Sequence, residues 1–278
     1  MKKAYILLFF SLTMIMQAQT DTSCIYRVKL IDDSEITGKF SELSDTICVF
    51  FTLTGIEMRI PRIQIIEMEE VSRNVIDGVY YKTDPNRTRL LFAPTGRMLK
   101  QGKGYFSAYE IFFPTLAIGI TDFLSLSGGL SLIPGSEEQL YYLAPKLGYE
   151  VTESFSFGAG YLYLSITGEN VSAGILYTVV TIGNDRNALT IGGGLGVTEG
   201  EFSDNPVLVL GGELTISNSI KLVSENWIAT FEDFKTIASL GLRFFGEHLA
   251  ADFALLLPTG SDTDGLPVIP WVGFVYNF

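Results

Sequence analysis

Two segments of this chain alternate apolar with small or polar residues at period two, and each is about as long as a tilted strand that crosses hydrocarbon. In Leu124–Leu132, Leu124, Leu126, Leu130 and Leu132 share one face, while Ser125, Ser127, Gly129 and Ser131 share the other. Ala188–Thr198 repeats the pattern, with Leu189, Ile191, Leu195 and Val197 opposite Thr190, Gly192, Gly194 and Gly196. Successive side chains of a strand point to opposite faces, so both segments present an apolar outer face and a small, polar inner one. Within hydrocarbon every backbone N–H and C=O must be paired inside the sheet, which strands achieve only by closing on themselves. The pattern therefore predicts an all-β chain dominated by an antiparallel transmembrane β-barrel.

Applied along the chain, the same periodicity predicts strands at Tyr105–Phe113, Thr115–Thr121, Leu124–Ile133, Leu140–Glu150, Phe155–Ile166, Ser172–Gly183, Ala188–Thr198, Val207–Ser217, Ile220–Thr230, Lys235–Phe245, Leu249–Leu257 and Val268–Phe278. That makes about twelve, with ten to fourteen allowed by the pattern, and an even number suits a bacterial single-chain barrel. The weak point is Phe113-Pro114-Thr115, where one bent strand could replace two; Leu90–Ala93 would then have to supply an extra strand to keep the number even. Connections alternate in length. Asp122-Phe123, Thr152–Ser154, Asn184–Asn187, Asn218-Ser219 and Gly246–His248 are short, whereas Pro134–Gln139, Glu199–Pro206 and Pro258–Pro267 are longer. Short turns on the periplasmic side and longer outer loops are the usual arrangement, which puts both barrel ends in the periplasm. The longer loops carry Glu137, Glu138, Glu199, Glu201, Asp204, Asp262 and Asp264. This acidic rim reads as solvated loop charge, as a barrier that repels anions, or as a site for divalent cations that also bridge lipopolysaccharide.

With the apolar face outward, Glu110, Lys146, Glu150, Glu213, Lys221, Glu225, Arg243 and Asp252 all fall on the lumen side. On the lipid face a Lys or Arg would cost about 2 to 4 kcal/mol at mid-membrane and an Asp or Glu somewhat less, so the shared phase supports the barrel. Lys221 is expected diagonally across from Glu213 and near Glu225 along its own strand, and Arg243 diagonally across from Asp252. Two readings follow: ion pairs holding a narrow, water-filled interior, or a constriction that selects solutes by charge.

The C-terminal segment Val268–Phe278 has Val268, Val272, Phe274, Tyr276 and the terminal Phe278 on one face. Such an ending invites association on a soluble edge strand. On a barrel it meets lipid while the strand closes against Tyr105–Phe113. It also resembles the C-terminal aromatic signature by which outer-membrane barrels are recognised, and that resemblance implies Phe274, Tyr276 and Phe278 as a signal for the barrel-assembly machinery. Outer-membrane lipid and lipopolysaccharide are the other expected partners.

At the other end, Lys2-Lys3, the apolar run Ala4–Met16 and Gln17-Ala18-Gln19 have the order of a secretory signal peptide covering 1–18 and cut after Ala18. The 278-residue chain has 19 basic and 31 acidic residues, a net charge of -12. Removing Lys2 and Lys3 leaves 17 basic against 31 acidic, or -14, so nothing here attracts nucleic acid. Cys24 and Cys48 make a disulfide chemically allowed after export, and Asp21-Thr-Ser before Cys24 does not look like a lipoprotein signal. The lone His248 excludes His-rich metal sites. It also falls in a predicted short turn, so the Ser and His arrangement of enzymatic barrels is not expected, and no catalytic residue, metal or cofactor is assigned. The glycines of Gly192–Gly196 lack the helix and lysine of a phosphate loop and read as close packing inside the barrel.

Residues 24–71 have a different texture. Tyr26–Ile31, Glu35–Phe40, Ile47–Leu53, Glu57–Ile60 and Gln64–Met68 read as short strands, with turns at Asp32–Ser34 and Thr54-Gly55. The order Val-x-Leu-x-Asp-Asp-x-x-x-x-Gly-x-Phe over Val28–Phe40, then Ile-Pro-x-x-x-Ile-x-x-Met from Ile60, resembles the Sm-like fold, a small SH3-type barrel. The resemblance implies fold only, because the family's RNA-binding loop pattern is not matched around Asp45-Thr-Ile-Cys-Val. A small periplasmic module is expected, acting as a plug or spacer or as a docking surface for a periplasmic protein.

The connector, 72–103, is too apolar at Leu90-Leu91-Phe92 for a solvated linker and carries Arg87, Arg89, Arg97, Lys100 and Lys103 in an otherwise acidic chain. Three destinations are open: the acidic mouth or lumen of the barrel, lipid phosphate, or solvent. The run Asp84–Arg97, then Gly-Lys-Gly-Tyr-Phe-Ser-x-Tyr-Glu-Ile-Phe-Phe-Pro over Gly102–Pro114 and Gly-Gly-Leu-Ser-Leu-Ile-Pro-Gly over Gly128–Gly135, resembles a group of uncharacterised outer-membrane barrels common in Bacteroidota. That resemblance implies location without activity. The chain thus reads as a channel or transport barrel for small solutes or apolar ligands, or as a closed barrel anchoring a periplasmic module.

Overall fold

The computed structural model describes residues 24–169, 171–198, 200–229, 236–259 and 268–278. The leader reading over 1–18 and the loop carboxylates Glu199, Asp262 and Asp264 lie outside them, as does Lys235. The chain divides into two compact units, one ending at Tyr81 and the other beginning at Lys82.

The first unit contains β1 (Tyr26–Leu30), β2 (Glu35–Leu43), β3 (Ile47–Thr52), β4 (Glu57–Pro61) and β5 (Ile65–Glu70) in one antiparallel sheet, ordered β4-β3-β2-β1-β5. Val28, Phe40, Cys48, Phe50 and Ile60 form its buried core. Cys48 is a free thiol, so no bridge to Cys24 exists. The unit extends ten residues beyond the boundary expected at Val71. Ser72 accepts a bond from the Ile25 amide, and β6 (Val75–Ile76) pairs with β7 (Val79–Tyr80) across the Asp77-Gly78 turn. Both turn residues have positive φ, 52° and 75°, which Asp tolerates and Gly adopts freely.

The second unit is a closed barrel of twelve antiparallel strands. In chain order these are β8 (Gly104–Tyr109), β9 (Phe113–Thr121), β10 (Leu124–Leu130), β11 (Leu140–Thr152), β12 (Phe155–Ile166), β13 (Ser172–Gly183), β14 (Asn187–Thr198), β15 (Glu201–Ser217), β16 (Ile220–Ala229), β17 (Thr236–Phe245), β18 (Leu249–Thr259) and β19 (Ile269–Asn277). Each pairs with its sequence neighbours, and β19 closes on β8 through pairs such as Tyr276↔Phe106. Gly104 and Phe278 exchange backbone bonds of 3.0 and 2.9 Å at the seam. Phe274, Tyr276 and Phe278 point outward. Alternation holds around the wall: on β9, Leu116, Ile118 and Ile120 are exposed while Thr115 and Ala117 are buried.

Three details differ from the sequence reading. The β8–β9 turn is at Glu110–Phe112, three residues before the expected break, with Glu110 and Ile111 left-handed at φ 47° and 67°. Pro114 lies within β9 just beyond its last residue paired to β10, where a strand tolerates a missing N–H. Leu90–Ala93 is therefore not needed as a wall strand. Second, the loop expected at Glu199–Pro206 is largely strand: Val197 pairs with Phe202 and Leu195 with Pro206, and a register shift absorbs the extra residues. Third, Glu110 is not an inward strand residue. It sits exposed in the turn and accepts a bond from the Val272 amide at 2.9 Å.

Candidate functional site

The connector folds back on itself inside the barrel. Asp84 accepts a bond from the Asn86 amide at 2.9 Å, an Asx turn that starts the reversal. A tight hairpin follows, with Thr95 N donating to Thr88 O at 3.0 Å and Leu90 N donating to Ala93 O at 2.8 Å. Its tip, Leu90 to Ala93, packs on Val223 and Ala254, with Val209, Trp227, Leu256 and Trp271 around it. Asp84, Asn86, Arg89, Leu90, Thr95 and Arg97 are all buried, which a solvated linker would not be. Gly211 makes room for the tip, since a Cβ there would fall 2.1 Å from Leu90 Cδ1. Gly119 does the same where the hairpin leaves: a Cβ would lie 2.3 Å from Lys100 O.

Burying this many charges is tolerable only if each is paired and hydrogen-bonded. A single alternating chain of ions does most of this. Arg89 Nη1 lies 2.8 Å from Asp252 Oδ2, and Asp252 Oδ1 lies 2.6 Å from Arg243 Nε. Arg243 Nη1 reaches Asp84 Oδ2 at 3.1 Å, and Lys221 Nζ reaches the same oxygen at 3.3 Å. Lys221 then lies 3.3 Å from Glu213 Oε1, and Glu213 Oε2 lies 2.7 Å from Arg97 Nη1. Four cations alternate with three carboxylates, and both ends are hairpin arginines. Barrel residues on β15, β16, β17 and β18 supply the middle, while Asp84, Arg89 and Arg97 come from the connector.

Around this chain the remaining inward charges also serve the hairpin. Lys146 Nζ donates to the carbonyls of Thr95 and Arg97, at 2.9 and 2.6 Å. Glu225 accepts from the amides of Phe92 and Ala93, at 2.8 and 2.9 Å, and from Trp227 Nε1 at 2.7 Å. Arg243 also donates to Leu90 O. At the short-turn end, half-buried Arg87 pairs with Glu150 and Asp185, each at 2.5 Å.

The structure thus brings Lys146, Glu213, Lys221, Glu225, Arg243 and Asp252 into contact with Arg89, Arg97 and their hairpin, and leaves Glu110 apart. Lys100 and Lys103 are exposed near the short turns, not in the lumen. Arg243 and Asp252 are directly opposite in register, not diagonal, whereas Lys221 meets Glu213 on the diagonal. Lys221 also pairs with Asp84, a connector residue that the strand pattern did not place beside it. Asp84 was missed because Asp-Pro-Asn reads as a surface turn; its place between two cations depends on contacts over 130 residues away in sequence.

The hairpin fills the short-turn half of the lumen. Beyond its tip, toward the longer loops, lies a cavity of about 550 Å³ lined by Phe92, Tyr109, Leu164, Trp227, Leu256 and Trp271 among others. A smaller space of about 90 Å³ adjoins it and reaches Arg89, Tyr105, Tyr142 and Tyr177. Phe92 sits between them, edge-on to Tyr109 and Tyr142 with ring centroids 5.8 and 5.7 Å away. These aromatic residues were not singled out by sequence, since inward and outward aromatics of a strand differ only in phase. Among the described residues no group of His, Cys, Asp and Glu is placed to hold a metal ion.

No protein-family model matches the chain, and no curated protein matches it. Among solved structures it is similar to the KdgM porin, at 11% identity and a TM-score of 0.47 over 63% of this chain and 98% of that one. It is also similar to Salmonella typhi OmpF in complex with daunomycin, at 8% identity and 0.36 over 92% and 96%, and to Pseudomonas aeruginosa OprD, at 10% and 0.36 over 91% and 93%. At these values none of the three says what this barrel carries.

Proposed function

We propose that this chain is an integral outer-membrane barrel closed by its own connector, which anchors a small β-module in the periplasm. The observation that carries this reading is the ion chain from Arg89 to Arg97. An open, charge-selective channel needs its lumen charges facing water, and here six of them are bound to the hairpin. The apolar outward face supports the membrane placement, because exposed leucines and isoleucines ring a wall whose charges Lys146, Glu213, Lys221, Glu225, Arg243 and Asp252 are buried inside it. The short turns then face the periplasm. We read the module as Sm-like in fold from its motif order and its five-stranded sheet.

Planar-bilayer recording tests this. The full chain is expected to show no steady conductance, and a chain with 86–98 replaced by a short Gly-Ser linker to show a stable open level. Steady conductance from the intact, folded chain would overturn the closed-barrel reading and restore the channel.

A further inference from the structure

We infer that the lumen cavity beyond the hairpin tip binds a small amphipathic monoanion, an apolar chain ending in a carboxylate, with Arg89 receiving the head. This rests on the plugged barrel proposed above. The argument begins with Arg89, which is 2% exposed. Its Nη1 is occupied by Asp252 and the carbonyls of Leu90 and Leu91, yet Nε and Nη2 have no hydrogen-bond partner among the described residues. A buried guanidinium with unmade bonds is costly, and a carboxylate is the group that matches its two-donor edge. The rings of Tyr105 and Tyr109 lie 5.8 and 5.5 Å from its central carbon; they stabilise the cation without satisfying its N–H groups.

Charge order agrees. The ion chain holds one more cation than carboxylate, and its two ends are not equivalent. Arg97, at the short-turn end, is completed by Asn184 O at 2.7 Å and Arg87 O at 3.3 Å. Arg89, at the cavity end, is left open, so the surplus positive charge is the one that faces the cavity. Two carboxylates line the larger space, and both are engaged: Glu225 by three N–H donors, the amides of Phe92 and Ala93 and the indole of Trp227, and Glu110, in the β8–β9 turn at its far end, by the Val272 amide.

Shape sets the rest of the ligand. The larger space is almost wholly apolar and suits a hydrocarbon or aromatic body, while the adjoining space of about 90 Å³ at Arg89 has room for a small head. Phe92, Tyr109 and Trp227 line both, so a ligand with its body in the larger space and its head at Arg89 lies against the Phe92 ring.

The chain's two tryptophans, Trp227 and Trp271, both line the cavity and report on it. Full-length protein in lipid nanodiscs is titrated with sodium decanoate, decan-1-ol and decyltrimethylammonium bromide, following tryptophan emission. Decanoate is expected to give a saturable change at least tenfold tighter than decanol, with no saturable change from the cation. Arg89→Gln should abolish the preference for decanoate, and Trp227→Phe should remove most of the signal. Equal response to all three heads in the unmutated protein, or only non-saturable partitioning, overturns the inference without relying on any variant. Conductance of the same preparation separates the two levels: a closed barrel without head-group preference refutes this ligand alone, whereas steady current refutes the plug with it.

Discussion

Arg243 on β17 and Asp252 on β18 face each other directly across the ladder, with Nε and Oδ1 2.6 Å apart and both side chains fully buried. Each also holds a connector residue: Arg243 binds Asp84, and Asp252 binds Arg89. The pair is therefore the fixed point on which the hairpin docks.

Removing one partner of a buried pair costs far more than the pair contributes, because it strands the other charge. Arg243→Ala takes one of two cations from each of Asp252 and Asp84, which keep Arg89 and Lys221, and so should weaken hairpin docking by less than the roughly 3 to 5 kcal/mol of a fully stranded charge. Transient conductance bursts in planar bilayers, absent from the parent chain, are the expected signature. Silent recordings from folded variant protein would show that the hairpin is held by packing instead.

The direction of the wall can be tested on adjacent residues. Ile191 is half exposed on the outer face of β14, while Thr190 is buried inside. Ile191→Arg should lower stability in lipid vesicles by about 2 to 4 kcal/mol, measured by reversible urea unfolding, if this position lies near mid-membrane. Ile191→Leu should be nearly silent.

Closure depends on the chain end. Phe278 exchanges two backbone bonds with Gly104, and its ring lies where a Cβ on Gly104 would fall 2.8 Å from Cζ. Deleting Phe278 removes both bonds and the terminal outward aromatic. The folded, heat-modifiable fraction on electrophoresis should drop several-fold, with spectra of the remaining folded protein unchanged.

The small module carries its own pH dependence. Burial in the module core pushes the Cys48 thiol above its ordinary value. The folded module thus holds this proton more tightly than the unfolded chain does, and stability falls as pH rises past the value of a free thiol, about 8.5. The melting temperature of the module should decline between pH 8 and 10, and Cys48→Ala should flatten that decline while lowering the plateau. A thiol reagent should label Cys48 in the Cys24→Ser background only as the module opens.

How much of this was legible beforehand follows from how far each signal reaches. Period two is a local property, so Leu189, Thr190 and Ile191 declare their faces without reference to any partner. Twelve strands, the inward phase of Lys146, Glu213, Lys221, Glu225, Arg243 and Asp252, and the closing role of the last strand were all accessible in that way. Glu110 was misplaced because two left-handed non-glycine residues make its turn, and no residue type announces them. Leu90-Leu91-Phe92 marked the connector as no ordinary linker, but not where it goes.

The sequence by itself determined the wall of this protein: which residues face out, which face in, and that the sheet must close. Only the tertiary structure decided what fills it. Arg89 meets Asp252 across 163 positions, and whether the inward charges line water or bind a hairpin depends on contacts of that range. Burial makes those contacts binding, since a charge withdrawn from water must find its partner wherever the chain has placed it.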